Sequence, residues 1–318
     1  MSKKVVTIGG GAGQSRVLAG LKRVKELKDL EVTAIVTAAD SGGSSGRLRD
    51  EFGVHPWGDI LRCIVGLADA PEDLRELFLY RFPGTGNLGQ HTVGNIILTA
   101  LNQLKGSPLE AVLALCNLLH VREMVLPVTE ASVQLCARLE DGTIVRGEHN
   151  IDAPKYDPNL HIKEVWLEPQ DCAPVPGVLL AIATADLIVL GPGDLYTSIL
   201  PNLLVPGVAQ AVSRARAQKV FVCSLMTKLG ETHGFKASDF LALIESHLGT
   251  RLDFVICNTA IPTPEVLESY RGEHADPVEV DLESGQDERQ IIAADVLAAG
   301  IRARHDPSKL GLLLAALL

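Results

Sequence analysis

The sequence is short of positive charge: 29 Lys and Arg stand against 39 Asp and Glu in 318 residues, a formal net charge of −10. Tracking a nucleic-acid backbone needs a net basic surface or stripe, so broad nucleic-acid binding is excluded. Aromatic residues make up 4% of the chain, too few for a base-stacking platform. No apolar run approaches the roughly 18–20 residues of a membrane helix. The longest candidates, residues 179–190 and 310–318, are interrupted by Asp186 or too short. Lys3 and Lys4 precede only residues 5–8 before glycine, less than a signal-peptide core requires, and a cytoplasmic location is the expectation. The six cysteines, Cys63, Cys116, Cys136, Cys172, Cys223 and Cys257, contain no CxxC pair and read as reduced, buried thiols.

What remains is an apolar chain of globular type, 47% hydrophobic and long enough to bury a sizeable core. Val5-Val6-Thr7-Ile8 leads into Gly9-Gly10-Gly11-Ala12-Gly13, residues 15–28 carry apolar positions at helical spacing, and residues 32–37 form a β-branched run. Strand, glycine loop, helix and strand make a βαβ unit and hence a parallel sheet. The same order returns at residues 186–190, 219–223 and 253–257, separated by helical stretches at 208–217, 237–247 and 288–299. The prediction is a doubly wound α/β fold. Residues 59–119 read as helical, broken near Gly84, Gly86 and Gly89. Residues 125–128, 132–139 and 143–146 read as an antiparallel ribbon turning at Asp141-Gly142. Residues 153–176 are proline-rich and irregular apart from a short strand at 161–167. The expectation is one domain over residues 1–318, with an inserted helical and β-ribbon layer at about 59–176.

Three loops follow strand ends, where open α/β sheets place ligands. In the first, Gly9, Gly10, Gly11, Ala12, Gly13 and Gln14 offer close backbone approach and a helix start to an anion. The G-x-G-x-x-G fingerprint fails at Gln14 or at Arg16, depending on register, and no G-K-[ST] occurs. The loop points to a nucleotide or phosphate without specifying NAD or ATP. In the second, Asp40 suits a ribose hydroxyl, a metal or a turn cap. Gly42, Gly43, Ser44 and Ser45 can meet phosphate oxygens, with Arg47 and Arg49 adding charge. In the third, Gly191, Pro192, Gly193, Thr197, Ser198 and Asn202 form either a ligand wall or a helix cap. His91 and Asn95, four apart, share a helix face and suit either a helix-start network or a catalytic couple.

Taken in order, these motifs resemble the bacterial gluconeogenesis factor family, within the wider superfamily of 2-phospho-L-lactate transferase. The resemblance spans nearly the whole chain and rests on the Gly9 and Asp40 loops, Gly58-Asp59-Ile60, His91 to Asn95 and Gly191 to Asn202. It also includes Leu225-Met226-Thr227 with Gly230-Glu231-Thr232, and Arg304-His305-Asp306. It implies a Rossmann-like, often dimeric fold, so a homodimer is expected. For the gluconeogenesis branch it implies binding of UDP-N-acetylglucosamine and a role in carbon-source adaptation and cell-envelope morphogenesis. For the transferase branch it implies phospholactyl transfer from a nucleotide-activated donor with Mg2+, Asp40 then being the metal ligand and Asp59 or His91 steering the acceptor.

The chain departs from the family pattern inside the expected pocket. Ser41 replaces the second of two aspartates, Leu61 and Arg62 replace an Arg–Asn pair, and Asp194 stands where serine is common. Losing a carboxylate weakens a hard-cation site. An added carboxylate beside phosphate is repulsive unless it faces a sugar hydroxyl or a cation. The leading expectation is therefore a nucleotide-sugar-binding regulator, its diphosphate on the Gly9–Gly13 backbone with Arg304 as a positive contact. A Mg2+-dependent transferase is the alternative. Net acidity does not oppose an anionic ligand, because loop amides and a few arginines can make a locally positive pocket.

Overall fold

In a computed structural model that describes residues 2–25, 28–283 and 289–318, the chain opens with β1 (Lys3–Gly9), α1 (Gly11–Lys25) and β2 (Leu30–Val36). A helical layer follows, α2 (Gly43–Phe52), α3 (Gly58–Leu67), α4 (Glu72–Leu79), α5 (Val93–Lys105) and α6 (Pro108–Leu118), before β3 (Met124–Pro127). Next come β4 (Gln134–Leu139), β5 (Ile144–Arg146), the short α7 (Glu148–Asp152), β6 (Ile162–Glu168) and α8 (Pro176–Thr184). β7 (Leu187–Leu190) leads through a wide π-type turn, Leu195–Ile199, into α9 (Leu200–Leu203) and α10 (Val208–Arg214). The last third alternates β8 (Gln218–Val222), α11 (Ala237–Leu248), β9 (Phe254–Asn258), α12 (Pro264–Arg271), β10 (Gln290–Ala294) and α13 (Pro307–Ala316).

Seven strands form one parallel sheet in the order β10-β9-β8-β7-β1-β2-β3. Both faces are covered, so the central strands are almost continuously apolar, as parallel strands must be. Alternate residues sort to opposite cores. Val5 packs with α1, α3, α6 and α13, while Val6 and Ile8 pack with α8, α10, α11 and the small antiparallel sheet β5-β4-β6. From β1 the chain winds outward to β2 and β3, and from β7 it winds the other way to β10. The reversal lies between β1 and β7, the position at which such sheets open a ligand crevice.

Helix ends carry ordinary chemistry. Thr92 and Ser107 cap α5 and α6, and the Asp306 carboxylate accepts from the backbone N–H groups of Ser308 and Lys309 at 2.8 and 3.0 Å. Gly106 closes α5 in the left-handed region, at φ 79°.

Two elements differ from the sequence expectation. Residues 125–128 leave the ribbon: β3 pairs parallel with β2, and the third strand of the antiparallel sheet is β6 instead. Pro127 fits there because β3 is the outermost strand, with no further neighbour needing its N–H. Residues 288–299, expected as helix, contain strand β10, parallel to β9 (residue 288 lies outside the described residues). The alanines at 293, 294, 298 and 299 favour helix only weakly, and the open edge of β9 supplies a hydrogen-bonding ladder that overrides it.

The C-terminal helix α13 crosses α1 backbone to backbone. A Cβ on Gly20 would overlap the Pro307 carbonyl oxygen and stand 3.0 Å from Gly311 N. Gly20→Ala is therefore expected to lower stability by about 1–3 kcal/mol, the ordinary range for overpacking. A denaturant titration reads this as a lower midpoint at unchanged slope. Gly66→Ala, whose Cβ would meet nothing closer than 3.4 Å, serves as the control and should lose little or nothing.

Candidate functional site

At the switch point the first and third loops touch through their backbones. A Cβ on Gly13 would overlap the Pro192 carbonyl oxygen, and Gly191 N donates to Ile8 O at 2.9 Å. Asn202 locks the junction: its Nδ2 donates to Gly9 O at 3.0 Å and to Ser198 O at 2.9 Å. Gln14 points the other way, its Nε2 donating to Thr7 Oγ1 (3.0 Å) and Ile35 O (2.9 Å) within the sheet. Both Asn202 and Gln14 are fully buried and hold the loops rather than line the cleft.

Asp59, in the first turn of α3, lies over the first loop. The Gly11 backbone lies against the Asp59 carboxylate: a Cβ on Gly11 would stand 3.2 Å from Asp59 Oδ1, and one on Gly10 2.5 Å from Oδ2. Gly11 itself sits at φ +60°, a left-handed conformation that favours glycine. These glycines thus accommodate contacts within the protein, in addition to whatever ligand approaches. Arg62 Nη1 reaches Asp59 at 3.6 Å.

The second loop turns into α2 beneath this layer. Asp40 Oδ1 accepts from Gly42 N at 2.9 Å, and Ser45 Oγ accepts from Gly58 N at 3.0 Å. Ser44 Oγ is shared by His91 Nδ1 (2.9 Å) and Asn95 Nδ2 (3.0 Å). His91 is buried, and desolvation together with Arg47 lowers its pKa, so it is neutral. Among Ser44, Asn95 and His91, only the first two face the cleft. The His–Asn pair is therefore a helix-start network reaching the site through Ser44. Arg47 turns out of the cleft to donate to Gly89 O.

Ser41 accepts through Oγ from His149 N at 2.9 Å and donates its own N–H to Glu148 Oε2 at 3.0 Å. Glu148 thus brings a carboxylate from α7 to the loop where the family's second aspartate is missing. Burial, then Asp40, pushes the Glu148 carboxyl up to about 8. Burial, then Asp40, pushes Asp59 to about 7 against the lowering effect of Arg62 and the Gly11 N–H.

On the far wall, Asp194 meets a cation. Lys228 Nζ lies 2.9 Å from Asp194 Oδ2, 3.0 Å from Glu231 Oε1, and in contact with Asp152 Oδ1. Burial opposes the ammonium, but Glu231, Asp194 and Asp152 together hold its pKa above the ordinary lysine value. Thr197 Oγ1 donates to Glu231 Oε2 at 3.4 Å.

The result is one cleft with two unlike halves that share Ala12, Gly13, Asp152, Gly193 and Asp194. The half of about 430 Å3 is lined by Asp40, Asp59, Glu148, Ser44, Ser45 and Asn95. Gly10, Gly11, Gly42, Gly43 and Thr197 also line it. The half of about 710 Å3 holds Arg16, Arg304, Pro192, Leu225, Met226 and Tyr270. Arg16 rises from α1 beside Arg304: burial and then Arg304 lower its pKa. Arg302 stacks over the Tyr270 ring at 4.3 Å and pairs with Glu273 at 2.6 and 2.9 Å. His305 Nε2 lies 3.1 Å from Cys223 O, and burial lowers its pKa to about 4, so it is neutral.

Of the residues expected at the site, Gly9, Gln14, Arg47, Arg49, Gly191, Asn202 and His91 therefore stand behind the cleft surface, and the others line it. Sequence reasoning missed Arg16, Glu148, Asp152 and Tyr270 as cleft residues. Arg16 was legible as the residue one helical turn after Ala12. Glu148 and Asp152 had no local signal, because α7 approaches the loops only through the antiparallel sheet.

Comparison with known proteins agrees with this architecture. Residues 5–297 match the family model described as 2-phospho-L-lactate transferase CofD. A Thermotoga maritima relative is 44% identical over 315 residues, 96% of either chain. The gluconeogenesis factor of Bacillus subtilis is 40% identical over 322 residues, 99% of this chain and 98% of that one. A crystal structure of a Bacillus halodurans protein superposes with a TM-score of 0.92 at 39% identity, covering 99% of this chain and 100% of its own.

The raised carboxyls make stability depend on pH. Glu148 is held near 8 in the folded chain against an ordinary 4.5, so the folded state binds the extra proton between those values. Folding is accordingly penalised as pH rises through that window, with the penalty complete above about pH 8. Glu148→Gln is expected to gain stability over the native chain progressively from about pH 5 to pH 8. Thermal melts across that range check this, and a difference that does not change with pH would contradict it.

Proposed function

The chain belongs to the 2-phospho-L-lactate transferase CofD family, among its gluconeogenesis factors, and on that premise we propose that it binds a nucleotide sugar such as UDP-N-acetylglucosamine across both halves of the cleft. The observation that carries this reading is a pair of guanidinium groups beside helix-start amides and an apolar wall, in a groove that continues into a hydroxyl- and amide-lined half. Arg16, Arg304 and the first-turn amides of α1 gather at its centre and on one side. Helix N-terminal amides and guanidinium groups together suit a diphosphate. Beyond them, Leu225, Met226, Pro154, Pro158 and Tyr270 offer an apolar wall for a flat base. On the opposite side, Asp40, Glu148, Ser44, Ser45 and Asn95, with Arg62 and Arg81 beside them, present acceptors and donors to sugar hydroxyls. A neutral hexosamine suits that half, whose polar groups are mostly uncharged hydroxyls, amides and part-protonated carboxyls. The role that follows is that of a cytoplasmic sensor in carbon-source adaptation and envelope morphogenesis.

The transferase reading differs in its need for Mg2+. Asp40 has one carboxylate oxygen engaged by Gly42, Ser41 is committed to His149, and one oxygen of Glu148 accepts from Ser41 N, so the carboxylates Mg2+ would meet at this loop are already partly engaged. Such an ion would depend on the nucleotide's own phosphates for further ligands.

Calorimetric titration with UDP-N-acetylglucosamine, GDP and NAD, each with and without Mg2+, separates these readings. Binding of the UDP-sugar is expected, with GDP and NAD weaker. Arg304→Ala and Arg16→Ala should each weaken it by roughly 10–100-fold, the equivalent of losing a charged hydrogen bond of about 1.5–3 kcal/mol. No binding at millimolar UDP-sugar, or unchanged affinity in both variants, overturns the assignment.

A further inference from the structure

Resting on the nucleotide-sugar reading, we propose that Lys228 is the resident cation of the cleft, occupying with its ammonium group the carboxylate cage that would otherwise hold a divalent ion. One oxygen each from Asp152, Asp194 and Glu231 lies within 4.8 Å of the other two, the spacing of a metal-binding trio. Among the described residues this is the one such group. Lys228 Nζ contacts all three carboxylates, and an ammonium has three N–H donors, one for each. The match is stoichiometric in donors although not in charge.

The surroundings fix the lysine there. Lys228 N donates to Thr232 Oγ1 at 3.1 Å, and Glu231 N and Thr232 N both donate back to Lys228 O, at 3.1 and 2.8 Å. That tight turn packs against the insert at Gly230, where a Cβ would stand 2.7 Å from Pro154 Cγ. The Glu231 side chain is 1% exposed, so the cation beneath it cannot be replaced by bulk water without leaving a buried charge unpaired.

The position also has mechanical reach. Asp152 ends α7 in the insert, Asp194 belongs to the third loop, and Glu231 sits beyond β8; Asp152 and Asp194 border both halves of the cleft. A single ammonium therefore ties three walls of the ligand groove together. It also explains Asp194, since that carboxylate faces a built-in cation and not the ligand's phosphates. A fixed ammonium at this place lets the nucleotide sugar bind without a divalent ion at the trio.

The test uses Mn2+ alone, followed by electron paramagnetic resonance, and UDP-N-acetylglucosamine by calorimetry in EDTA or Mg2+. For the native chain, any Mn2+ uptake is expected to be unaffected by Asp194→Asn, and UDP-sugar affinity to agree within about twofold with and without Mg2+. Lys228→Met should acquire one Mn2+ that Lys228→Met/Asp194→Asn does not bind. In EDTA its UDP-sugar affinity should fall by roughly tenfold or more, because the buried carboxylates lose their partner, and Mg2+ should restore part of the loss. Native uptake of a Mn2+ that Asp194→Asn abolishes would overturn the proposal, as would a Lys228→Met chain that neither binds Mn2+ nor loses affinity. If Lys228→Met does not fold by circular dichroism, the native and Asp194→Asn arms still decide. Absence of UDP-sugar binding in every form would defeat the ligand reading alone, since the Mn2+ arm needs no nucleotide.

Discussion

Two backbone turns, one after β1 and one after β7, press against each other with no side chain between them, and the site is organised around that contact. Gly13 meets the Pro192 carbonyl where any Cβ would clash, and Asn202 ties Gly9 to the segment that follows the third loop. The sheet reverses its winding here, so neither strand has a crossover helix filling the space above its C-terminal end. The contact therefore makes the floor of the cleft continuous from the acidic half to the arginine half. It also sets where α1 begins, and hence where its first amides and Arg16 point.

On that floor the charges are arranged by segment and not by overall composition. The carboxylates come from three directions, Asp40 and Asp59 from the loops, Glu148 and Asp152 from the insert, and Asp194 from the far wall. Burial, and after it the neighbouring Asp40, raises Asp59 and Glu148 to about 7 and about 8, so near neutral pH part of their charge is removed by protons and not by cations. Asp194 is instead paired with a built-in cation, Lys228. An acidic protein can in this way present an anion subsite and a hydroxyl subsite side by side, with the boundary between them near Gly193.

Much of this was legible from residues alone where the signal is local. The β-branched run 32–37 and the apolar runs before Gly191 and Ser224 became central parallel strands, because a strand buried on both faces has to be apolar throughout. The three loops were legible for the same reason: glycines just past such strands mark where the chain must turn tightly. What escaped was set by partners distant in sequence. Residues 125–128 look like ribbon until the free edge of β2 is known, and β10 looks like helix until β9 offers it a ladder. Glu148 reaches Ser41 across more than a hundred residues, through a sheet whose own third strand lay in a stretch read mostly as irregular. Lys228 lay inside a motif notable only for its glycine and hydroxyls, and its role exists only once Asp152 and Asp194 face it.

The glycine loop itself illustrates why a pattern of glycines does not define a phosphate cradle. Gly13 is required by Pro192 and Gly10 by Asp59 and Thr37, so both would be glycine in a protein that bound nothing. Gly11, moreover, lies against the Asp59 carboxylate, which a Cβ on it would meet at 3.2 Å. An anion approaching the first glycines of the loop therefore finds a carboxylate beside them, one that carries at most a partial proton at neutral pH. The amides still available at the start of α1 are those of Ala12 and Gly13, which border the half holding Arg16 and Arg304. For the proposed nucleotide sugar, electrostatics favours phosphates away from Asp59 and toward the two arginines. On the nucleotide-sugar proposal, the anion site then lies at the far end of the loop and not at its first two glycines, with Asp59 facing the group attached to the phosphate.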